Sequence, residues 1–129
     1  MNRYMKVEGT EHTFEVVKLV PIHSEMVSIH FEELPNGKWR ILYNAEFLPN
    51  FDEIEAFQIK RTVETRSIVL KGIDVELKLS IVTAVRVRPN LLHLDKLQDG
   101  TWRMTYNVNT IPDFTKVTSL TMVHEEDVL

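Results

Sequence analysis

The sequence predicts an all-β protein, formed by tandem duplication of a four-stranded antiparallel unit and packed as an eight-stranded pseudo-twofold sandwich or partly closed barrel. Three observations lead to this prediction. The chain repeats itself at an offset of 63 residues, as from Trp39 to Trp102. Apolar and polar residues alternate with a period of two, which is the pattern of a half-buried strand. Glycine turn signals recur at the same places in both copies.

The internal repeat is clearest between residues 29–59 and residues 92–122, which align without a gap. A fixed period indicates that each copy is one structural unit. Residues 1–129 are therefore predicted to form a single domain of two repeats, at about 10–65 and about 73–124. Residues 60–72 are a short connection in this prediction, and residues 1–9 and 125–129 are flexible tails. Besides the tryptophans, the identical pairs are His30/His93, Leu34/Leu97, Gly37/Gly100, Arg40/Arg103, Tyr43/Tyr106, Asn44/Asn107, Pro49/Pro112 and Phe51/Phe114.

The first strand of the unit is clearest in the second copy. Odd positions of residues 75–81 are apolar and even positions are polar, which predicts a strand with one buried face. Val85 and Val87 extend this alternation. Arg86 and Arg88 are therefore expected on the solvated side of the same strand.

The second and third strands are predicted to form a hairpin, and its turn is the strongest local signal. Residues 34–38 read LPNGK and residues 97–101 read LQDGT. Both suit a type I turn closed by a glycine in the left-handed region. Because the turn type sets the register, Glu32 is expected opposite Arg40 and Asp95 opposite Arg103. A carboxylate opposite an arginine stabilises the hairpin in each copy.

This register divides each hairpin into two faces, because successive side chains of a strand point to opposite sides. The core face is predicted to carry Ile29, Phe31, Trp39, Ile41 and Tyr43, repeated as Leu92, Leu94, Trp102, Met104 and Tyr106. The polar face is predicted to carry His30, Glu32, Arg40 and Asn44, repeated as His93, Asp95, Arg103 and Asn107.

The fourth strand is predicted from the alternation of Phe57, Ile59 and Val63. Ile54 is out of phase, which favours a bulge or a short helical turn after Pro49. A helix over residues 52–61 is the competing interpretation for the first copy. The threonine-rich segment 115–121 of the second copy favours the strand.

Composition excludes several classes of function. The formal net charge of −4 argues against a nucleic-acid or membrane-surface binder, which needs a basic face. The absence of cysteine excludes disulfides, thiolate metal sites and cysteine nucleophiles. No signal-peptide pattern and no apolar span of membrane length occur, so a cytoplasmic location is expected.

The polar face is the best candidate site. Its arginines can bind a carboxylate or phosphate in bidentate fashion, and its histidines can donate a proton. The competing interpretation is a solvated hairpin surface joined by ion pairs.

The five histidines show no metal-ligand spacing on one element, so no metal site and no cofactor are predicted. His124 lies beside three acidic residues in the C-terminal tail. No hydrolase or phosphate-loop motif occurs, so no catalytic residue is predicted.

The favoured function is a non-enzymatic interaction module that binds another protein, or its own copies as a homo-oligomer, through sheet edges and loops. The first alternative is a small-molecule carrier whose tryptophans and tyrosines line a cavity. The second is an enzyme with His30 or His93 as general base. The copies differ at Glu46 against Asn109 and at Phe47 against Thr110, so the ends of the third strands are where one half is expected to specialise.

Overall fold

The computed structural model describes residues 3–10 and 12–124, which form an all-β protein. Within these residues there is no helix with the length and apolar character needed to cross a membrane. The strands are β1 (Arg3–Glu8), β2 (His12–Ile22), β3 (Ser28–Glu33), β4 (Trp39–Asn44), β5 (Ala56–Arg61), β6 (Arg66–Lys71), β7 (Val75–Val85), β8 (Leu91–Lys96), β9 (Trp102–Asn107) and β10 (Ser119–His124), with 3₁₀ turns at Phe51–Glu53 and Phe114–Lys116.

The strands form one sheet that closes into a barrel, in the order β1-β10-β5-β6-β7-β9-β8-β3-β4-β2. The described residues thus contain ten strands in a closed barrel, where eight strands in a sandwich or partly closed barrel were expected. The expected N-terminal tail contains β1, and the expected connection contains β6. Only Met5 and Val7 of β1 face the core, a signal too short to identify a strand from sequence. The predicted tail at 125–129 lies outside the described residues.

The bounds of the elements recur along the chain at a constant spacing. β1 begins at Arg3 and β6 begins at Arg66, a difference of 66 − 3 = 63 residues. The same difference separates β2 from β7, β3 from β8, β4 from β9, β5 from β10 and the first 3₁₀ turn from the second. The spacing seen in the amino-acid sequence is therefore also the spacing of the secondary structure, and it extends further towards the N-terminus than residue 10.

The two halves exchange their last strands. β5 pairs with β10 and β6, both of which belong to the second half. β10 pairs with β1 and β5, both of which belong to the first half. Phe57 of β5 lies directly opposite Leu120 of β10, and both side chains are fully buried. Neither half can therefore complete its sheet or its core without the other.

The hairpin predictions are confirmed. Glu32 pairs with Arg40, and Asp95 pairs with Arg103. Gly37 and Gly100 have φ angles of 83° and 86°, in the left-handed region that the predicted turn requires. The predicted core face is also confirmed: eight of its ten residues are buried, and Tyr43 and Tyr106 pack against the core at partial exposure.

The long strands β2 and β7 depart from simple alternation. The register of β7 against β9 shifts between Leu79 and Ile81, as does the register of β2 against β4 at the equivalent place. A bulge inserts one extra residue and reverses which side chains face inward. Leu79 is therefore buried whereas Ile81 is 44% exposed, and Arg88 lies beyond the end of the strand. The predicted continuation of the strand to residues 86–88 is wrong.

The fourth strand of the predicted unit is β5, preceded by the 3₁₀ turn at Phe51–Glu53. The short helical turn after Pro49 is confirmed, and the competing helix over residues 52–61 is wrong. Val63 does not continue the strand, because it lies in the turn between β5 and β6 and is fully exposed.

Gly72 provides a test of how closely the halves approach. It has a φ of 103°, and a Cβ built on it would lie 1.9 Å from the carbonyl oxygen of Glu53 in the first 3₁₀ turn. Gly37 also has positive φ, but a Cβ there meets no atom within 4 Å.

We expect Gly37→Ala to lower the free energy of unfolding by about 1–2 kcal/mol through backbone strain alone. Gly72→Ala should lower it by clearly more, because a backbone clash is added. Urea denaturation of both variants measures this, and equal losses would contradict the close approach.

The strand exchange gives a second prediction. We expect a chain cut between Val63 and Glu64, in the exposed turn between β5 and β6, to give two pieces that are each unfolded alone and fold when mixed. Each piece lacks the partner strands of its last strand, so its core stays open. Circular dichroism and size-exclusion chromatography of the separate and mixed pieces test this. A stably folded single piece would show that the exchange is dispensable.

Candidate functional site

The predicted polar face of the two copies meets where β3 pairs with β8. The strands are antiparallel, and His30 lies directly opposite His93. The imidazole rings are stacked, with centroids 3.9 Å apart and planes inclined by 10°. Ser28 pairs with Asp95 and Glu32 pairs with Leu91, so the pairing is unchanged when the two halves are interchanged. The two histidines thus lie at the middle of this pairing.

The histidines lie within a cluster of charged side chains, which we call the polar seam: His30, Glu32, Arg40, His93, Asp95 and Arg103. Nε2 of His30 lies 3.1 Å from Oδ1 of Asp95. A guanidinium nitrogen of Arg40 donates to Oε2 of Glu32 at 2.7 Å. The guanidinium group of Arg103 approaches Oδ2 of Asp95 at 3.6 Å. The structure therefore brings together six of the eight predicted site residues.

The two halves of the polar seam are not equivalent. Glu32 is one methylene longer than Asp95, and it engages Arg40 closely. The shorter Asp95 instead contacts His30 across the pairing of β3 with β8. Among the described residues, Nε2 of His93 and Nε of Arg40 are buried without a hydrogen-bond partner. An unsatisfied buried polar atom costs about 1–3 kcal/mol, so these two atoms mark a place where a further polar partner would be stabilising.

Two ionisable groups of the polar seam have shifted pKa values. The hydrogen bond from His30 is the main cause that lowers the pKa of Asp95. Burial, followed by the electrostatic effect of neighbouring His30, lowers the pKa of His93. Asp95 and Glu32 raise it again, whereas Arg103 lowers it. His93 is therefore held neutral and Asp95 ionised around neutral pH.

The remaining predicted site residues, Asn44 and Asn107, lie apart from the polar seam. Both are buried, and their amides bind loop backbone. Nδ2 of Asn44 donates to the carbonyl oxygens of Ser24 and Met26, and its Oδ1 accepts from the backbone N–H of Glu46. Asn107 is bound in the same way, to Val87 and Asn109. These asparagines hold the loop that precedes each hairpin.

A groove lies at one end of the pairing between β3 and β8. Its volume is about 890 Å³, and it is open to solvent on one side. The backbone N–H of Glu33 donates to the carbonyl oxygen of Asn90 at 2.9 Å, and the Asn90 amide donates to the Glu33 carboxylate at 3.1 Å. These bonds fix the loop after β7. The groove is lined by Glu33, Leu34, Pro35, Arg88, Pro89, Asn90 and Asn109.

The equivalent positions at the other end of this pairing have different chemistry. Arg88 corresponds to Glu25, Asn90 to Val27, and Glu33 to Lys96. The backbone bond recurs there, from the N–H of Lys96 to the carbonyl oxygen of Val27, but Val27 has no side-chain amide to form the second bond that Asn90 makes to Glu33. Apart from Asn109, the residues of the groove were not predicted as site residues from the sequence. Asn109 was noted because it differs from its counterpart Glu46, at the end of a third strand where one half was expected to specialise.

Comparison of the chain with protein-family models, with curated proteins and with solved structures finds no match. The polar seam and the groove are therefore the features of the molecule from which a function is inferred.

The lowered pKa of His93 predicts that stability depends on pH. The unfolded chain takes up a proton near the ordinary pKa of 6.5, whereas the folded chain does so only at lower pH. The unfolded state thus binds more protons in this window, and stability falls as the pH falls through it. The pKa shift of Asp95 acts in the same direction, at pH values below about 4.

We therefore expect the free energy of unfolding to fall when the pH is lowered from about 7.5 to about 5.5, in the presence of a metal chelator. In His93→Gln the fall should be smaller, because the buried titrating group is gone. His23→Gln, at an exposed position, serves as the control and should behave as the parent chain. Urea denaturation at the two pH values measures this, and an unchanged fall in His93→Gln would refute the assignment.

Proposed function

We propose that this protein is a non-enzymatic interaction module that binds a segment of another polypeptide in the groove beside Arg88. The observation that carries this proposal is the groove itself, which is large, is bordered by hydrogen bonds between Glu33 and Asn90, and is lined by residues whose counterparts at the other end differ in chemistry. A scaffold with one specialised loop region is a common way to present a binding site.

The chemistry of the groove favours an acidic peptide segment. Arg88 is exposed and makes no salt bridge among the described residues, so its guanidinium group is available to a carboxylate. Asn109 offers an amide, and Leu34 and Pro35 offer apolar contact. A groove that is open on one side and lined with mixed polar and apolar groups suits an extended peptide. An enclosed, mainly apolar pocket is what a small ligand usually requires.

In this proposal the partner binds to loops and not to the edge of a sheet. The ten strands close on themselves, so the described part of the chain offers no unpaired strand to which a partner strand can add. Self-association through sheet edges thus gains no support from the barrel. A protein partner that docks on loops is compatible with it.

The two alternative functions rank below this one. Trp39 and Trp102 are each 3% exposed, and Trp39 stacks on Phe14 with ring centroids 4.4 Å apart. Because these rings pack in the core, they favour core filling over a carrier cavity. An enzyme would use the histidine that Asp95 orients, which is His30.

We also propose that the chain arose by duplication of a five-stranded unit that once formed a homodimer. The constant spacing of 63 residues between equivalent elements supports this. So does the exchange of β5 and β10, since two separate copies could exchange their last strands in the same way. After fusion, the two ends of the pairing between β3 and β8 became free to differ.

The groove proposal is tested with a displayed library of random peptides selected against the purified protein. We expect the selected peptides to be rich in aspartate and glutamate. Arg88→Glu should weaken their binding by about tenfold or more, because a charge-assisted hydrogen bond contributes about 1.5–3 kcal/mol. Fluorescence anisotropy with a labelled peptide measures the affinity.

Arg86→Glu is the matched control. It makes the same change of charge in the same exposed loop but does not line the groove. Binding should be nearly unchanged in this variant. Failure to enrich any peptide, or an equal loss of affinity in both variants, would show that the groove does not recognise peptides.

A further inference from the structure

Three potential metal ligands of the polar seam lie close together on two central strands. The donor atoms of His30, His93 and Asp95 all lie within 4.8 Å of one another. β3 and β8 are paired with each other and with β4 and β9 on either side, so their backbones are held in place. A site that is built on paired strands keeps its ligands in fixed relative positions.

We propose that His30, His93 and Asp95 bind one divalent first-row transition-metal ion, with Zn²⁺ as its representative. Two imidazole nitrogens and one carboxylate oxygen are a common ligand set for such ions. An ion held by three protein ligands keeps at least one coordination position for water or a further ligand. The partial exposure of His30 and Asp95 leaves that position accessible from solvent.

The unpartnered nitrogen of His93 is the first argument for the site. Its Nε2 is buried and has no hydrogen-bond partner among the described residues, although Asp95 and His30 are close by. A metal ion would give this buried nitrogen the partner that the described part of the chain does not supply.

The distances are the second argument. Metal–ligand bonds of about 2.0–2.2 Å in a tetrahedral site place neighbouring donor atoms roughly 3.3 Å apart. Nε2 of His30 and Oδ1 of Asp95 are already 3.1 Å apart. The two imidazole rings are stacked with planes inclined by 10°, so metal binding requires at least one ring to turn about χ2, which is a soft torsion in histidine.

The surrounding charges set the expected affinity. Arg103 lies near Oδ2 of Asp95 and leaves Oδ1 for the ion. Such a contact orients the ligating carboxylate. Glu32 is already engaged by Arg40, so it is not available as a fourth ligand. The two guanidinium groups repel a cation, and we therefore expect binding in the micromolar range.

This site is separate from the groove beside Arg88, and the inference does not depend on the function proposed for that groove. The experiment is isothermal titration calorimetry of the intact chain with Zn²⁺ near neutral pH, with native mass spectrometry to count the ions. We expect one ion per chain. His93→Gln, His30→Gln and Asp95→Asn should each weaken Zn²⁺ binding by about tenfold or more. Far-ultraviolet circular dichroism checks that each variant is folded, and Asp95→Asn provides the test if a histidine variant does not fold.

Glu32→Gln is the matched control, because Glu32 is the equivalent carboxylate in the other half and is paired with Arg40. It should weaken Zn²⁺ binding clearly less than Asp95→Asn does, because Glu32 contributes only its charge and is not a ligand. His12→Gln, His23→Gln and His124→Gln control for the other three histidines and should bind Zn²⁺ like the parent chain. The proposal is overturned if Zn²⁺ binds no more tightly than about 1 mM, or if His124→Gln weakens it while Asp95→Asn does not.

Discussion

The exchange of the last strands between the two halves is the constraint on which the rest of this structure depends. β5 pairs only with strands of the second half, and β10 pairs only with strands of the first. Each exchange fills a gap in a sheet that would otherwise end in an open edge, which is a costly arrangement for an apolar strand. Closure of the barrel, continuity of the core through Phe57 and Leu120, and the absence of unpaired edges in the described residues all follow from it.

Closure also determines where the two polar faces meet. When equivalent strands pair in antiparallel fashion, one residue must lie opposite its own counterpart, and in the pairing of β3 with β8 that residue is His30. The pairing of β5 with β10 has the same property: Phe57 lies opposite its counterpart Leu120, and there the two side chains face the core. Because His30 lies opposite His93 in the sheet, the two imidazole rings are close enough to stack. Burial and the charge of His30 then lower the pKa of His93, and its Nε2 finds no hydrogen-bond partner within the described part of the chain.

Small differences between equivalent positions of the two halves change the chemistry of the polar seam and of the loops. Glu32 is bound closely by Arg40, whereas the shorter Asp95 contacts His30 at 3.1 Å and Arg103 only at 3.6 Å. The change from Val27 to Asn90 creates the hydrogen bond that fixes one loop and borders the groove. One methylene, the difference between Glu32 and Asp95, therefore decides whether the carboxylate forms only an ion pair or also belongs to a potential ligand set. One side-chain amide, that of Asn90 in place of Val27, decides whether the loop is bound to the groove residue Glu33.

The sequence by itself determined the all-β class, the hairpin turns, the register of Glu32 opposite Arg40 and the core face, because these depend on neighbouring residues and local alternation. It also identified six residues of the polar seam as outward-facing. Only the tertiary structure decided that β1 and β6 are strands, that the barrel closes, and that His30 meets His93. Spacing along one element cannot reveal a ligand set drawn from two strands. Pairing between distant strands depends on the whole sheet, and no local pattern in the chain encodes it.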